Sequence, residues 1–263
     1  MIPNILSIAG SDPSGGAGIQ ADIKAISANG GYAMAAITAL TAQNTQSVTS
    51  VEMVSTAMVA AQIAALRADI RIDAIKIGML GTSAIIEAVG QALQGHSAPI
   101  VLDPVMVAKS GDRLLAAQAV IALREMLPMA RIITPNLPEA ADLLGCPEAS
   151  SRQQMEVQAR ALLALDVGAV LLKGGHLPGD ACPDLLAEPA GLTWFDAPRQ
   201  ATTRTHGTGC TLSSALATGL GLGLPLPEAV RRAKAYVAGA IAAAGTLTVG
   251  LGHGPTHHFY AQF

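Results

Sequence analysis

Short apolar runs alternate with helix-forming segments along the whole chain, and this alternation constrains the fold more than any single motif. The clearest runs cover residues 5–9, 74–79, 100–102, 131–134 and 169–172. Helical patterns lie between them, and neither an internal repeat nor a linker interrupts the series. Such alternation predicts an α/β fold with a mostly parallel sheet and helices on both faces. We therefore expect residues 1–263 to form one domain.

The same patterns predict the remaining elements. Further strands are predicted at 34–40, 47–51, 184–186 and 192–195. Helices are predicted at about 17–29, 56–68, 83–93, 114–127, 136–144, 152–165, 208–222 and 227–244. The face of the last helix around residues 234–237 is interpreted as simple packing. Loops at 109–112 and 176–183 are candidates for a mobile lid.

Composition and charge exclude several classes of protein. The net charge of −3 provides no electrostatic footprint for nucleic acid or for an anionic membrane. The three cysteines are too few and too unevenly spaced for a disulfide framework or a zinc site, which favours a reducing compartment. There is no basic amino-terminal segment, and no apolar run approaches the roughly 20 residues that span a bilayer. We expect a soluble cytoplasmic protein without nucleic-acid or membrane partners.

Polar groups stand where the predicted strands end. Asp12 follows the first strand, Asp103 follows the strand at 100–102, and Lys173 follows the strand at 169–172. A buried carboxylate such as Asp103 is costly unless a metal ion or a lysine pairs with it. A lysine beside two glycines is well suited to meet a phosphate. Because such positions share one rim of a parallel sheet, we expect a phosphoryl-transfer site there.

A glycine-punctuated turn at residues 204–212 runs into a helix of small residues. Gly207 and Gly209 let the backbone turn tightly, and a helix that begins near Thr208 would direct its free N–H groups and its positive dipole end at one point. Such a point binds phosphate or stabilises developing negative charge. Cys210 would lie in the first helical turn, where the pKa of a thiol is lowered. The alternative is a simple helix start with Cys210 as a buried filler; on this stretch alone the two interpretations are even.

Asn136 and Glu139 form a second motif with two interpretations. Asn is a good helix N-cap, and Glu three residues later completes a capping box. The functional interpretation is that Glu139 helps to hold Mg²⁺ near a phosphate. Capping would be favoured if the pair stood alone.

Three other features are weaker. The loop at 10–18 is neither a Rossmann fingerprint nor a Walker A motif, so a dehydrogenase is disfavoured. Gln43 carries both a donor and an acceptor that could recognise a heterocycle, although a solvated loop amide is the simpler interpretation. The histidine-rich tail at 253–258 lacks acidic or thiol partners nearby and is interpreted as a surface segment rather than a metal site.

Seven blocks of sequence, in order, carry a specific family resemblance. They are IAGSDPSGGAGIQAD at 8–22, TALTAQNT at 38–45, KIGM at 76–79, DPVM at 103–106, TPNLPEA at 134–140, KGGH at 173–176 and THGTGCT at 205–211. With these blocks the chain resembles the ribokinase-like superfamily of small-molecule kinases. Within that superfamily it is similar to the hydroxymethylpyrimidine/phosphomethylpyrimidine kinases of thiamine biosynthesis, over essentially its whole length.

The resemblance implies an activity and a set of site residues. The enzyme would use ATP and Mg²⁺ to phosphorylate 4-amino-5-hydroxymethyl-2-methylpyrimidine and then its monophosphate. The resemblance also implies a central sheet of about nine strands and a homodimer. The turn Gly207, Thr208, Gly209 and Cys210 would be the anion hole, and Lys173 would neutralise phosphate charge. Nucleotide contacts would come from Lys173, Asn136 and Thr208, Mg²⁺ would be held by Asp103 and Glu139, and the pyrimidine pocket would be lined by Gln43, Gly10, Asp12, Met79, Val105 and, more weakly, Asp22.

One departure from the wider superfamily concerns the catalytic base. Many ribokinase-like enzymes end the anion hole in an aspartate that acts as the base, whereas this chain has Cys210 there, as pyrimidine kinases and some pyridoxal kinases do. The resemblance therefore leaves two alternatives open. One is a pyridoxal or pyridoxine kinase with the same fold, and the other is a ligand-binding or regulatory protein on a kinase fold. The presence of Asp103, Glu139, Lys173 and Cys210 together favours an active kinase.

Overall fold

An eight-stranded, mostly parallel sheet runs through the molecule in the computed structural model, which describes residues 1–106 and 119–262. The strands of the described chain are β1 (Asn4–Ala9), β2 (Tyr32–Ile37), β3 (Ala39–Gln43), β4 (Val48–Met53), β5 (Ala74–Ile77), β6 (Ile100–Leu102), β7 (Ile132–Ile133), β8 (Val170–Lys173), β9 (Asp184–Glu188) and β10 (Gly191–Phe195). Their order in the large sheet is β10-β9-β8-β7-β6-β5-β1-β2. From β8 to β2 neighbouring strands are parallel, whereas β9 and β10 are antiparallel. The carboxyl ends of six strands therefore share one rim.

Helices cover both faces of this sheet, as the alternation predicts. They are α1 (Gly18–Ala28), α2 (Thr56–Asp69), α3 (Ser83–Ala92), α4 (Ala119–Met126), α5 (Leu137–Leu144), α6 (Arg152–Leu163), α7 (Thr208–Gly221) and α8 (Leu226–Ala242). Successive strand residues alternate between the two faces. Leu6 and Ile8 of β1 belong to the core beneath α2 to α6, and Ile5 belongs to a second core beneath α7 and α8. The second core holds α7 against its face of the sheet through Leu212, Ala215 and Leu216.

The strand predicted at 34–40 is two strands in two sheets. The chain leaves the large sheet at Thr38, whose buried hydroxyl donates to the carbonyl oxygen of Met79 at 2.7 Å. Beyond Thr38, β3 pairs with β4 in a separate antiparallel sheet. The polar cluster at 41–45 therefore begins within β3 instead of following a strand. Because this pair stands apart, the large sheet has eight described strands rather than about nine.

The histidine-rich tail is largely buried, so the interpretation as a surface segment is wrong. Thr256 and His258 are 1% and 4% exposed, and Pro255 forms a β-bridge with His206. His258 Nε2 lies 3.1 Å from Thr211 Oγ1 in the first turns of α7. The tail is buried because it covers the polar start of that helix, a relation between residues far apart in sequence.

The predicted loop at 109–112 and the start of the helix predicted at 114–127 lie outside the described residues. Within the described ranges, α4 accounts for the end of that helix. Across residues 1–106 and 119–262, no helix combines the length and the apolar character needed to cross a membrane.

Candidate active site

A cavity of about 940 Å³ lies along the rim where the parallel strands end. At one end it is lined by Gly10, Gln43, Met79 and Val105, and in the middle by Asp103, Glu139 and Lys173. At the other end it is lined by residues 197–202 and by Lys234, Val237, Ala238 and Ile241 of α8. Every site residue predicted from the sequence lines this cavity except Asp22. Its lining thus combines apolar side chains with a few charged and polar groups, as in sites for small molecules.

The start of α7 forms the wall at the centre of the cavity. Gly207 is the N-cap and has a left-handed backbone with φ of 75°. A Cβ at this position would overlap the carbonyl oxygen of Gly16, so two independent constraints require glycine here. Among the described residues no side chain caps the helix. The Thr208 N–H donates to the carbonyl oxygen of Thr205 at 3.3 Å, whereas the N–H groups of Gly209 and Cys210 have no acceptor within the helix. These N–H groups can receive an anion, as the sequence predicts.

Asp103 and Lys173 form an ion pair directly against this helix start. Lys173 Nζ lies 2.9 Å from Asp103 Oδ1, which also accepts a hydrogen bond of 3.0 Å from Thr134 Oγ1. An ideal Cβ on Gly209 would lie 3.3 Å from Asp103 Oδ2 and 3.4 Å from Lys173 Nζ. The lysine therefore supplies the cation that a buried carboxylate at this strand end requires. The absence of a side chain at Gly209 keeps the space beside the pair open.

The capping interpretation of the Asn136–Glu139 motif is confirmed, and the same glutamate also lies in the charged cluster of the cavity. The capping box is present: Asn136 Oδ1 accepts from the Glu139 N–H, and Glu139 Oε2 accepts from the Asn136 N–H, each at 2.8 Å. The same carboxylate lies 3.9 Å from Lys173 Nζ. Burial raises the pKa of Glu139 to about 7, with Asp103 adding to the rise and Lys173 opposing it. Glu139 is therefore both a helix cap and a member of the central charged cluster.

Cys210 lies in the first turn of α7, but the expected lowering of its pKa is not found. Burial raises the pKa of the thiol to about 11, although Lys76 and the backbone of Gly18 act in the opposite direction. Nearby Asp22 and Asp103 raise it further. Desolvation and two carboxylates thus outweigh the helix start. At neutral pH the thiol of the free protein is protonated.

Asp12 and Asp22 have internal partners that sequence reasoning missed. The carboxylate of Asp12 accepts hydrogen bonds from the N–H groups of Ser14 and Ala17 and lies 2.7 Å from His206 Nε2. It holds the glycine loop against the α7 turn instead of directing its oxygens at a ligand. Asp22 is fully buried in an ion pair with Lys76, away from the cavity lining. A lysine in an otherwise apolar strand was the available sequence signal for this pair.

Two further polar groups line the far end of the cavity. The sequence predicts simple packing around Lys234, but its Nζ lies 2.5 Å from Asp184 Oδ2 and donates to the carbonyl oxygen of Cys182 at 2.8 Å. Arg199 donates to the carbonyl oxygens of Gly175, Leu177, Gly179 and Ala181. The loop predicted as a mobile lid at 176–183 is therefore held by these two cations. Their sequence neighbourhoods carry no recognisable motif.

A parallel α/β sheet with a helix start, a lysine and two carboxylates at its strand ends defines a small-molecule phosphotransferase. A family model described as phosphomethylpyrimidine kinase matches residues 12–257. The chain belongs to the phosphomethylpyrimidine kinase family. It is 53% identical over 260 residues to the hydroxymethylpyrimidine/phosphomethylpyrimidine kinase of Salmonella typhimurium, with 98% of each chain covered.

Solved structures give the same result for the fold. The ADP complex of Bacillus subtilis pyridoxal kinase matches with a TM-score of 0.92 and 34% identity, covering 100% of both chains. The phosphomethylpyrimidine kinase of Clostridium difficile matches with a TM-score of 0.81 and 41% identity, covering 91% of this chain and 99% of that one. The predicted family, kinase activity and ribokinase-like α/β fold are confirmed.

Proposed function

We propose that this kinase transfers the γ-phosphoryl group of ATP to the hydroxymethyl group of 4-amino-5-hydroxymethyl-2-methylpyrimidine. It then phosphorylates the monophosphate to the diphosphate, in thiamine biosynthesis. The observation that carries this proposal is the uncapped start of α7 against the Asp103–Lys173 pair at the centre of the cavity. N–H groups and an ammonium group that converge on one point stabilise a transferring phosphoryl group.

The end of the cavity near Gly10, Gln43, Met79 and Val105 suits the pyrimidine. Gln43 Oε1 lies 3.3 Å from Thr41 Oγ1, whose proton is shared with the Ser11 carbonyl oxygen at 2.9 Å. The amide N–H groups of Gln43 can then face a ring nitrogen. Met79 is 8% exposed, and its methyl group would lie 2.6 Å from a Cβ on Gly10, so glycine allows this side chain to cover the pocket. An apolar floor with one amide is well matched to a small heterocycle.

The other end of the cavity suits the nucleotide. Lys173, Asn136 and Thr208 would contact its phosphates, and the apolar face of α8 at Val237, Ala238 and Ile241 lies beyond them. The ADP complex of the pyridoxal kinase with the same fold supports an adenine nucleotide as the donor.

Asp103 and Glu139 fit Mg²⁺, which we propose as the metal. Both side chains are carboxylates, the hard oxygen ligands that Mg²⁺ prefers, and they face the same lysine. In the part of the chain that the structure describes, no group of three or more metal-ligating side chains occurs. A pair of carboxylates suits Mg²⁺, which keeps several waters and takes its other ligands from substrate phosphates. When bound, the ion would neutralise phosphate charge.

Different groups of the protein bind the transferring phosphoryl group and accept the substrate proton. The N–H groups of Gly209 and Cys210 hold the oxygens of the transferring group, and Lys173 balances their charge. The free protein holds Cys210 as the thiol, so its proton must first be lost when the charges in the site change. The resulting thiolate accepts the hydroxymethyl proton as the substrate oxygen attacks phosphorus and ADP leaves. In the second step the attacking phosphate oxygen is already ionised, so no proton acceptor is required.

Product analysis tests this proposal. Purified protein is incubated with ATP, Mg²⁺ and the hydroxymethylpyrimidine, and the products are resolved by mass. Sequential formation of monophosphate and diphosphate is the expected result. Formation of neither product, from protein shown to be folded by circular dichroism, would overturn it.

Pyridoxine kinase activity is the second candidate function. The high similarity to pyridoxal kinase structures favours it, because the two rings are similar in size. A parallel reaction with pyridoxine measures the ratio of kcat/KM values. A higher value for the pyrimidine supports the first proposal, and a higher value for pyridoxine, with no pyrimidine diphosphate formed, supports the second.

The remaining expectations concern the whole protein. Residues 1–263 would act as one kinase domain, in the cytoplasm and as a homodimer. Light scattering coupled to size-exclusion chromatography tests the dimer, which would elute with twice the chain mass of 26.6 kDa.

A further inference from the structure

A second lysine–aspartate pair lies beside α7, in addition to the pair formed by Lys173. Lys76 of β5 is fully buried, and its Nζ lies 2.9 and 2.8 Å from the two carboxylate oxygens of Asp22 on α1. Asp22 also accepts from Ser7 Oγ at 2.6 Å and from Ser214 Oγ at 2.8 Å. A buried charged pair is costly in free energy, which makes this pair a candidate for a functional role.

Each lysine–aspartate pair lies beside a serine of α7 through its aspartate. Ser214 of α7 reaches Asp22, and the preceding residue, Ser213, lies 3.5 Å from Asp103. One helical turn earlier, Cys210 and Gly209 occupy the corresponding positions. Gly209 faces the Asp103–Lys173 pair, because a Cβ at Gly209 would lie within 3.4 Å of both members of that pair. Cys210 is thereby directed toward the Lys76–Asp22 pair.

Lys76 is buried from bulk solvent and yet lines the cavity that holds Cys210. The backbone of Gly18, at the start of α1, faces the Cys210 thiol and favours its thiolate. The starts of α1 and α7 thus meet at this sulfur, with the ammonium group of Lys76 nearby. Three positive or partly positive groups from separate elements surround one titratable atom.

We propose that Lys76 is a positioning residue that acts through Cys210, as the buried counter-ion of the Cys210 thiolate. This rests on the proposed function, in which that thiolate accepts the substrate proton. When the thiol loses its proton, the ammonium group shared with Asp22 also stabilises the new anion. Asp22 sets the strength of this effect because it neutralises most of the charge of Lys76.

The charged groups around Cys210 come from four elements. Lys76 on β5 and Lys173 on β8 favour the thiolate, and Asp22 on α1 and Asp103 after β6 oppose it. Lys173 is already paired with Asp103 and Glu139. Lys76 is therefore the cation whose removal should change the charge state of Cys210 without disturbing the phosphate-binding groups.

The pH dependence of thiol alkylation tests the proposal without requiring turnover. Cys146 and Cys182 are replaced by serine, and the rate of Cys210 modification by iodoacetamide is measured from pH 7 to 10. Lys76→Met should lower the rate about tenfold at each pH, equivalent to a rise of about one unit in the pKa of Cys210. Asp22→Asn should have the opposite effect and raise the rate several-fold, because Lys76 is then unneutralised.

Opposite signs distinguish a charge effect from loosened structure, since loosening would accelerate alkylation in both variants. Lys76→Arg should restore most of the rate, and Lys24→Met, which removes a lysine from α1 that does not act on Cys210, is the control. If Lys76→Met does not fold, Lys76→Gln takes its place, because acceleration in Asp22→Asn alone would not separate a charge effect from loosened structure. An unchanged or lower rate in folded Asp22→Asn protein would overturn the proposal, as would an unchanged rate in folded Lys76→Met protein.

The kinase assay separates this proposal from the proposed function. The acidic limb of the kcat/KM profile for the first phosphorylation should move in the same direction as the alkylation rate in each variant. Shifted alkylation in a protein that phosphorylates no pyrimidine would support the role of Lys76 and reject the function. Normal phosphorylation with an unshifted alkylation rate would support the function and reject the role of Lys76.

Discussion

Cys210 occupies a position where burial and nearby carboxylates outweigh the groups that favour its thiolate. The start of α7, the Gly18 backbone and Lys76 favour the thiolate, while burial and two aspartates favour the thiol and raise its pKa to about 11. Because the Cys210 thiol is mostly protonated in the free protein, it can act as a base only when the charges around it change. This residue therefore provides the sharpest test of the mechanism.

Cys210→Ala should affect the two phosphorylations unequally. The first step should slow about 10²- to 10⁴-fold, the usual contribution of a positioned base, because the hydroxymethyl proton loses its acceptor. The second step should lose much less, because the attacking phosphate oxygen is already ionised. Single-turnover rates for each step, measured at saturating substrate, check the prediction.

Cys210→Ser is the matched control for that experiment. It keeps the size of the side chain but removes the thiol, so it should resemble Cys210→Ala in the first step. Near-full turnover of the first step in the alanine variant would eliminate Cys210 as the base, and equal losses in both steps would assign it a role in packing the anion hole.

At the scale of elements, the turn before α7 depends on a single glycine. Gly207→Ala should destabilise the protein through two costs: about 1 kcal/mol for the left-handed backbone, and about 1–3 kcal/mol for the overlap with Gly16. Phosphoryl transfer should fall with it, because the turn carries the N–H groups that hold the anion. Thermal unfolding and kcat together measure the outcome.

Gly95→Ala separates the two costs. Gly95 also has a positive φ, of 69°, but a Cβ there would meet open space. This variant should lose about 1 kcal/mol and keep its activity. If both alanine variants lost equal stability, the proposed contact between the two glycine loops would be wrong.

The guanidinium group of Arg199 supplies most of the hydrogen bonds that hold the loop beyond β8, and Lys234 supplies another. Arg199 donates to four carbonyl oxygens, at distances from 2.5 to 3.4 Å. Arg199→Lys should raise the KM for ATP about tenfold and leave the KM for the pyrimidine unchanged, because an ammonium group cannot reproduce this fork of donors. Steady-state kinetics with each substrate varied in turn check the prediction.

Arg231→Lys is the corresponding control, since Arg231 forms an exposed ion pair with Glu228 on α8. It should change neither KM. Equal effects of Arg199→Lys on both KM values would indicate that the loop does not belong specifically to the nucleotide end of the cavity.

At the scale of the whole molecule, the carboxyl-terminal tail links α7 to α8. His258 lies against Thr211 of α7, and its carbonyl oxygen accepts from Tyr236 Oη of α8 at 2.8 Å. Burial lowers the pKa of His258 to about 4, and the charges of Lys24 and His257 contribute. The folded protein therefore keeps this histidine neutral in a range where the unfolded chain protonates it.

Stability should consequently fall as the pH decreases from about 6.5 to about 4. The unfolded chain binds more protons over this window, so protonation favours unfolding, at a cost of about 3 kcal/mol. His258→Gln should lose less stability than the wild type between pH 7 and pH 4.5, as measured by urea unfolding. His253→Gln, an exposed substitution in the same tail, should retain the wild-type dependence, and an unchanged slope in His258→Gln would refute the assignment.

Local sequence was sufficient for most of the elements because their signals are local. The run at 100–102 is β6, the capping box of Asn136 and Glu139 is present, and α7 begins at Thr208. Polar residues that follow parallel strands meet at one rim of the sheet. The alternation of strands and helices in the sequence therefore also predicted which residues line the cavity. The break at Thr38 did not follow, because its cause is a hydrogen bond to Met79, 41 residues away.

The sequence by itself determined the layered α/β fold, the family and the residues that line the cavity, because periodicity, caps and glycine turns act between near neighbours. The tertiary structure decided which charges pair. Lys76 meets Asp22, His206 meets Asp12, and the tail covers α7, across 54, 194 and 47 residues respectively. It also decided the protonation state of Cys210, because a pKa depends on burial and on the sum of surrounding charges, which no local pattern encodes.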